Sequence, residues 1–531
     1  MYTWEEVAKH NAEDDMWVTI EDRVYDITAW VSRHPGGVEV LRLVAGRDIT
    51  IAFDSYHPFT TKAKDMVGKY HIGTLAAGSY EFPPYLANTS GFYEDIKKEV
   101  GDYFRTQGTD PVAVSKSPVA GLWRMMLVML VSLTCFAAAF SFGKLDNMQL
   151  SDNEHVAMAQ AHFMQFSSRV TESVGLQIAC AIVFGICQAL PLLHTMHDCS
   201  HTSFGTNQTW WYVFGRFFLD FYAGCNMTSW HNQHTIGHHI YTNVFKADPD
   251  MPVKETGDIR RLVSRQVWSE LSKWQHFYLP VLYGFLGVSM RVSDITEVFT
   301  AHTNGPMRVN PHGVLGHLEH IVSKCFFVLW RFYLPLVVWE VPLPMFALLT
   351  FIAEMSTGYW LAFNFQVSHI STVAEFPLGD VAVLPTAATK KRSSTPSKGR
   401  GRADSGAAAK PVEKLGVAGT TNTNTSGIKH EVVPYEWAVA QTISSVDYSQ
   451  RSPWTTFCCG ALNFQIEHHL LPSVSQYHYP AIAPIVRRVC ERHGVKYNCL
   501  PNFYTAFYLH VKYLYQLGQK GQSVPLQTSL H

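Results

Sequence analysis

Long uncharged blocks alternate with polar ones along the chain, and four of the blocks are of membrane length. Residues 125–142 hold no charge and are edged by Arg124 and Lys144, and residues 174–193 form a second uncharged run. A third, 325–339, carries Arg331, and a fourth, 343–363, carries Glu354; the break Glu340-Val-Pro-Leu-Pro344 separates them. A helix rising 1.5 Å per residue crosses ~30 Å of hydrocarbon in about 20 residues, so each run predicts a transmembrane helix. Charges inside lipid are costly, so Arg331 and Glu354 are expected to face other helices or a site. The apolar stretch 210–227 is interrupted by Arg216 and Asp220, and 277–290 is short and contains Pro280; both predict interfacial or re-entrant segments. Before the first span the pattern changes. Residues 4–11 read as a short helix, and 17–26 alternate like one strand. The chain therefore predicts a small α+β domain followed by an all-α multi-pass membrane domain with four transmembrane helices, interfacial helices and a cytosolic cap.

Composition agrees with that division. Charged residues are 16% of the 531, against about 25% in a soluble globular protein. Lys+Arg number 42 and Asp+Glu 43, a net charge of −1, which gives no basic field for nucleic acid. The opening 24 residues are polar and of mixed charge, so no secretory signal is expected. Four crossings put 1–124, 194–324 and 364–531 on one side, with nearly all the Lys and Arg; residues 144–173 hold only Lys144 and Arg169. The positive-inside rule makes the large side cytosolic. Ten cysteines without a CxxC pair read as reduced intracellular thiols rather than a zinc or disulfide framework. Residues 385–430, with KKRSSTPSKGRGR followed by Ala, Gly, Thr and Asn repeats, lack apolar periodicity and are expected to be a disordered low-complexity insertion.

Histidine carries the candidate chemistry. There are 26, and they cluster. In the first domain, His34-Pro35-Gly36-Gly37 is followed 23 residues later by His57. A b-type haem takes one neutral imidazole on each face, from separate segments. Pro35 and the two glycines fix a tight turn that aims His34 inward and lets backbone approach the ring. Three further clusters lie near the ends of the apolar spans: His194 to His201, His231 to His239, and Gln465-Ile-Glu-His468-His469. His197 and His201 are four apart, as are His234 and His238, which on a helix places each pair on one face; His239 lies beside the second pair. Imidazole without chelating thiolate suits Fe, Zn, Cu or Ni. Zinc needs only three or four such groups, so seven or more imidazoles point to two metals, and a neighbouring one-electron haem favours iron.

With Val24-Tyr-Asp-Ile, Gly46-Arg-Asp and the closing Tyr70-His-Ile-Gly-Thr-Leu75, residues 1–75 resemble a cytochrome b5 domain. The three histidine clusters resemble the boxes of membrane fatty acid desaturases. More narrowly they resemble the front-end desaturases with a fused N-terminal cytochrome b5 domain, in which a glutamine, here Gln465, opens the last box. Asn463-Phe-Gln-Ile-Glu-His-His469, Val474-Ser-Gln-Tyr-His-Tyr-Pro480 and Arg308-Val-Asn-Pro311 look closest to delta-5 enzymes, then delta-4.

The resemblance implies five regions. These are a haem-binding domain over 1–80, a linker and amphipathic segment over 81–118, a first desaturase part over 119–384, the insertion over 385–430, and a C-terminal desaturase part over 431–531. It implies haem b on His34 and His57, and two non-haem irons on His197, His201, His234, His238, His239, Gln465, His468 and His469, with His369 as a further ligand. Asp198 is expected to orient a ligand imidazole, and His194 and His231 to hydrogen bond rather than ligate. The implied reaction uses O2 and places a cis double bond between an existing one and the carboxyl end of a polyunsaturated acyl chain, delta-5 on twenty carbons. The acyl carrier is CoA or phospholipid, and the expected partners are an NADH-dependent cytochrome b5 reductase and the bilayer. The expected location is the endoplasmic reticulum membrane, with the haem domain and boxes facing the cytosol. A tunnel is expected to hold the chain; aromatics of 326–365 and 210–222 are candidates to line it, set against the commoner role of such a stripe in lipid-facing packing. The pattern also admits a delta-4 enzyme on twenty-two carbons, a b5-fused sphingolipid desaturase, an acyl hydroxylase, and a membrane haem protein that only relays electrons.

Overall fold

The computed structural model describes residues 1–116, 119–145, 149–379, 422–423 and 429–521. The insertion read at 385–430 lies outside the described residues except for the paired Asn422–Thr423 and Lys429–His430.

The N-terminal module is a small sheet with helices packed against it. Strands β1 (Asn11–Ala12), β2 (Asp15–Ile20), β3 (Arg23–Asp26) and β5 (His71–Thr74) pair antiparallel in that order, and β4 (Arg47–Asp48) runs parallel beside β2. Alternation buries Met16 and Val18. The single strand expected over 17–26 is instead a hairpin. Glu21 and Asp22 form its two-residue turn, with Glu21 at φ 58°, and period-2 alternation continues on either side of such a turn. Gly37, at φ 85°, begins helix α1 (Val38–Val44); a Cβ there would lie 2.2 Å from the Gln208 side chain. Only glycine meets both demands. Helix α2 (Thr50–Tyr56) completes the pocket.

Within the segment 81–118, helix α3 (Phe92–Gln107) buries Phe92, Ile96, Val100 and Phe104 in the cap core. Among the described residues, four helices are long and apolar enough to cross a membrane: α4 (Gly121–Phe140), α5 (Val174–Ser200), α7 (Gly313–Val338) and α8 (Leu343–His369). Between them, residues 227–241 form helix α6, whose middle, His231–His238, is a π-helix. Bounds shift from those read in the sequence mainly because helices continue past the lipid-length run: α5 carries on through a π-turn at Leu192–Met196, and α7 begins twelve residues before the uncharged core. Gly185 of α5 lies so close to α8 that a Cβ would come within 2.3 Å of Ala353 O, and Thr357 Oγ1 donates to Gly185 O at 2.9 Å. Small residues permit this approach between apolar helices. The outer faces, Leu127 and Leu130 on α4 and Phe326 and Leu329 on α7, stay exposed, as lipid contact requires.

The charges inside the spans face other helices, as expected. Glu354 accepts from Arg291 at 2.6 Å and from Arg331 at 3.4 Å. The Arg331 guanidinium also lies over the rings of Phe136, Phe140 and Phe184. Stretches 210–227 and 277–290 are broken into short helices with exposed Val213, Phe277 and Val281, and neither is among the four crossings.

Helix α9 (Gln465–Leu470) brings the last box to the ends of α5, α6 and α8, and α10 (Tyr479–His493) packs on α3 to close the cap. The N-terminal module docks on this side. Arg308 donates to Ala8 O at 2.6 Å and Gly46 O at 3.0 Å, and Asn310 donates to Ala45 O at 3.0 Å. The Gly46-Arg-Asp and Arg308-Val-Asn-Pro311 motifs thus grip one another.

Candidate metal centre

His34 and His57 face each other with ring centroids 6.4 Å apart. One metal held by two imidazole nitrogens at about 2 Å each needs a gap of that size. Each ring is turned by a local carbonyl: His57 Nδ1 lies 2.8 Å from Phe53 O, and His34 Nδ1 3.3 Å from Gly37 O. A Cβ on Gly36 would come 2.7 Å from His34 Cε1, so that glycine leaves room for the ring. Burial, then the neighbouring His57, holds His34 near pKa 4, and burial lowers His57, so both are neutral at physiological pH.

The second constellation is assembled from four helices. Eight buried imidazoles, those of His197, His201, His234, His238, His239, His369, His468 and His469, bring their ring nitrogens together in overlapping groups. His197, His201, His234 and His468 form one group, and His238, His369 and His469 another; His239 joins His468 and His469 between them. His197 Nε2 is 3.1 Å from His234 Nε2, and His238 Nε2 is 3.3 Å from His369 Nε2. Nitrogens bound to one metal at about 2.0–2.1 Å lie roughly 3 Å apart, so these spacings suit shared ions. Gln465 Nε2 reaches both His369 Nε2 at 2.9 Å and His469 Nε2 at 3.1 Å.

The pairing within α6 differs from the expectation of α-helical spacing. His234 and His238 fall in different groups, and His234 Nε2 instead meets His239 Nε2 at 3.3 Å. The cause is the π-helix at His231–His238, whose i→i+5 geometry puts residues five apart on one face.

Five of the eight rings are tied at Nδ1 from outside, which leaves Nε2 toward the centre, whereas His239 Nδ1 has no hydrogen-bond partner among the described residues. His201 Nδ1 is 2.9 Å from Tyr56 Oη, and His468 Nδ1 is 3.1 Å from Tyr479 Oη. His469 Nδ1 lies 2.9 Å from Gln441 Oε1, and His369 Nδ1 3.2 Å from Ser444 O. The Asp248 carboxylate takes His238 Nδ1 at 3.1 Å and is itself fixed by the backbone N–H groups of Asn243 and Asp250. Burial, then the neighbouring imidazoles, pushes His201, His234, His239, His468 and His469 well below the ordinary value. His238 is the exception: burial disfavours its charge, but Asp248 and Asp250 outweigh that and raise it to about 9.

A metal fits this donor set. His201 Nε2, His468 Nε2 and Gln465 Oε1 are buried with no hydrogen-bond partner among the described residues. Each such atom costs ~1–3 kcal/mol if left unmet, and a cation at the centre would satisfy them together.

Some expected roles move. Asp198 touches no imidazole; its carboxylate accepts from Ser475 Oγ at 2.6 Å and from Gln476, clamping the first box to the loop after the third. The orienting carboxylate is Asp248, which the Asp248-Pro-Asp250 run just beyond the second box could have flagged. His194 hydrogen bonds Phe457 O at 2.8 Å, and neither it nor His231 joins a metal group. The cavity that opens at His197 is largely aliphatic where aromatics were expected: Leu193, Met196, Leu219 and Leu361 line it, with Phe365 the one aromatic drawn from the two named stretches. Shape-filling leucines do there what a sequence stripe of aromatics cannot reveal.

Residues 3–76 match the cytochrome b5-like heme/steroid binding domain, and residues 174–501 match the fatty acid desaturase family. The chain is 34% identical to acyl-lipid (8-3)-desaturase B of Dictyostelium discoideum, over 98% of this chain and 94% of that one. It is 34% identical to delta(5) fatty acid desaturase A of the same organism, over 97% and 94%. It is 32% identical to the acyl-lipid (8-3)-desaturase of Mortierella alpina, over 97% of each. This chain belongs to the fatty acid desaturase family, as a membrane oxidoreductase with a cytochrome b5-like haem domain fused at its N-terminal side.

Proposed function

We propose that the chain is a delta-5 front-end desaturase acting on twenty-carbon polyunsaturated acyl chains carried by phospholipid or CoA. It works at the endoplasmic reticulum membrane, with its haem and histidine clusters in the cytosol. An NADH-dependent cytochrome b5 reductase supplies the electrons. The observation that carries the reading is the convergence of eight buried imidazoles and Gln465 beside a docked haem module. The names of the three relatives above support the position of the new bond.

In this reading His34 and His57 hold haem b. His197, His201, His234 and His468 hold one iron, and His238, His369 and His469, with Gln465 spanning two of them, hold the other; His239 stands between. The haem supplies single electrons and the irons supply O2 activation: two hydrogens from adjacent carbons, two electrons and two protons convert O2 to two waters. The protein's part is to position. Phe365, Leu361 and Thr357 lie on successive turns of α8 leading away from His369 and line one cavity; at ~1.5 Å per residue that wall runs roughly 12 Å. It directs an apolar chain past His197, so that one C–C bond rests beside the cluster. Asp248, Tyr479 and Gln441 keep the imidazoles turned inward while the chain binds.

Expression in yeast, fed a twenty-carbon and a twenty-two-carbon polyene separately, tests the assignment. The expected product is a twenty-carbon chain with a new cis bond at carbon 5. A product only at carbon 4 of the longer chain, a 2-hydroxy acid, or a change only in sphingoid bases would each replace it.

A further inference from the structure

Helix α2 of the haem module ends at Tyr56, and the next residue is His57. The Tyr56 hydroxyl lies 2.9 Å from His201 Nδ1, and the two rings are nearly parallel, 16° apart with centroids separated by 6.3 Å. One residue is thus the chain neighbour of His57 and, through its hydroxyl, hydrogen bonded to an imidazole of the metal cluster. Two further hydrogen bonds join this helix to the cap without touching Tyr56 or His201. Ser473 Oγ donates to Ser55 O at 3.3 Å, and Lys97 Nζ donates to Asp54 at 2.8 Å. His201 Nε2, on the other edge of the ring, has no partner among the described residues and points into the cluster. With Nδ1 engaged by Tyr56, the ring keeps its proton there and offers the Nε2 lone pair inward.

We propose that Tyr56 is a positioning residue that couples the two redox sites: it fixes the His201 tautomer and closes the gap between the His57 backbone and the His201 ring. The inference rests on the haem and iron reading above. Each transfer across this contact takes one electron from ferrous haem, leaving it ferric, and reduces one non-haem iron from ferric to ferrous. Two transfers serve each double bond. No proton crosses, because His201 Nδ1 and the tyrosine hydroxyl both keep their hydrogens.

The test uses the full-length protein loaded with haem and iron. Haem is reduced anaerobically, and its reoxidation by the ferric non-haem iron is followed by absorbance. Tyr56→Phe is expected to slow reoxidation ~10–100-fold, the range lost when an orienting partner of a metal ligand is removed. Its haem spectrum, its non-haem iron content and its product yield when a small-molecule reductant reduces the iron directly are expected to match wild type. Ser473→Ala, which removes a docking contact beside Tyr56, is expected to leave reoxidation unchanged. Wild-type reoxidation in Tyr56→Phe overturns the inference. So does an equal loss under direct reduction, which would make Tyr56 a support of the iron site alone, and so does equal slowing in Ser473→Ala, which would assign the effect to docking. Haem without further iron in the wild-type protein would defeat the functional reading itself.

Discussion

The haem pocket and the metal centre solve the same problem, holding imidazoles in one tautomer and one orientation, with partners from very different distances along the chain. His34 is tied to Gly37 O and His57 to Phe53 O, carbonyls three and four residues away. In the metal centre, His201 is tied to Tyr56, His468 to Tyr479, His469 to Gln441 and His369 to Ser444. Three of those four partners lie tens of residues or more away, and one belongs to the haem module. A pocket tethered locally is portable and can be fused to many partners. A centre tethered remotely exists only once four helices, the cap and the docked module are in place. The two sites should therefore fail independently when a ligand is removed, and loss of a distant tether that belongs to the desaturase part should weaken the metal centre alone.

Removing a ligand from each site is the strongest break. His468→Ala takes an imidazole from both the first group and the bridge to His469, and loss of desaturation to background is expected with the haem absorbance intact. His34→Ala should do the reverse, abolishing the haem spectrum while non-haem iron stays bound. Iron and haem content measured on both variants checks the pair. If His468→Ala keeps making product, the reaction needs no metal held by His468, and the comparison loses its second metal site.

The same contrast governs what could be read before any coordinates. His34 and His57 were legible as candidates because each is set by residues close to it in the chain, His34 by Pro35, Gly36 and Gly37 and His57 by Phe53. The four membrane-length helices were legible because apolar runs of that length with at most one charge have few other uses. The box histidines were legible as a set, and His369 only by resemblance. Their partition was not: an α-helical spacing rule pairs His234 with His238, and nothing in the local sequence announces the π-helix that pairs His234 with His239. The tethers were not legible either. Gln441 and Tyr56 belong to no motif read above, Tyr479 belongs to one that does not announce its partner, and only tertiary packing brings each to an imidazole. Asp198 illustrates the opposite error, a carboxylate beside a histidine in sequence that turns to Ser475 in space.

A subtler break leaves every ligand present. Asp248→Asn removes the carboxylate that orients His238 Nδ1 and keeps the side chain's shape. Partners of this kind are worth ~10–100-fold in metal affinity or activity. Non-haem iron occupancy or turnover is expected to fall by about that factor, with the haem spectrum unmoved. Iron-to-haem ratio and product rate, measured on the same preparation, check it. An unchanged variant would mean that the second group is organised by Gln465 and Ser444 alone.

The smallest effect sharpens the comparison by sparing both sites. Gly287 lines the apolar cavity together with Thr357 and Arg291. It lies one turn past Gly284, against which Gly358 packs so tightly that a Cβ would come 2.0 Å from Gly284 O. At Gly287 itself a Cβ would meet the Arg291 guanidinium, at an ordinary 3.6–3.9 Å. The helix backbone there tolerates a side chain, since replacing a helical glycine relieves rather than adds strain. Leucine at this position would therefore occupy cavity volume without disturbing an imidazole or the haem pocket. A methylene more or less in an apolar pocket is worth about 1–3 kcal/mol in discrimination, or 10–200-fold. Gly287→Leu is expected to lower conversion of a twenty-carbon chain about tenfold relative to a shorter one, at unchanged haem and iron content. Feeding the two chains in competition reads the ratio. A ratio equal to that of wild type would show that the acyl chain takes another path, because a filled cavity cannot accept both lengths equally.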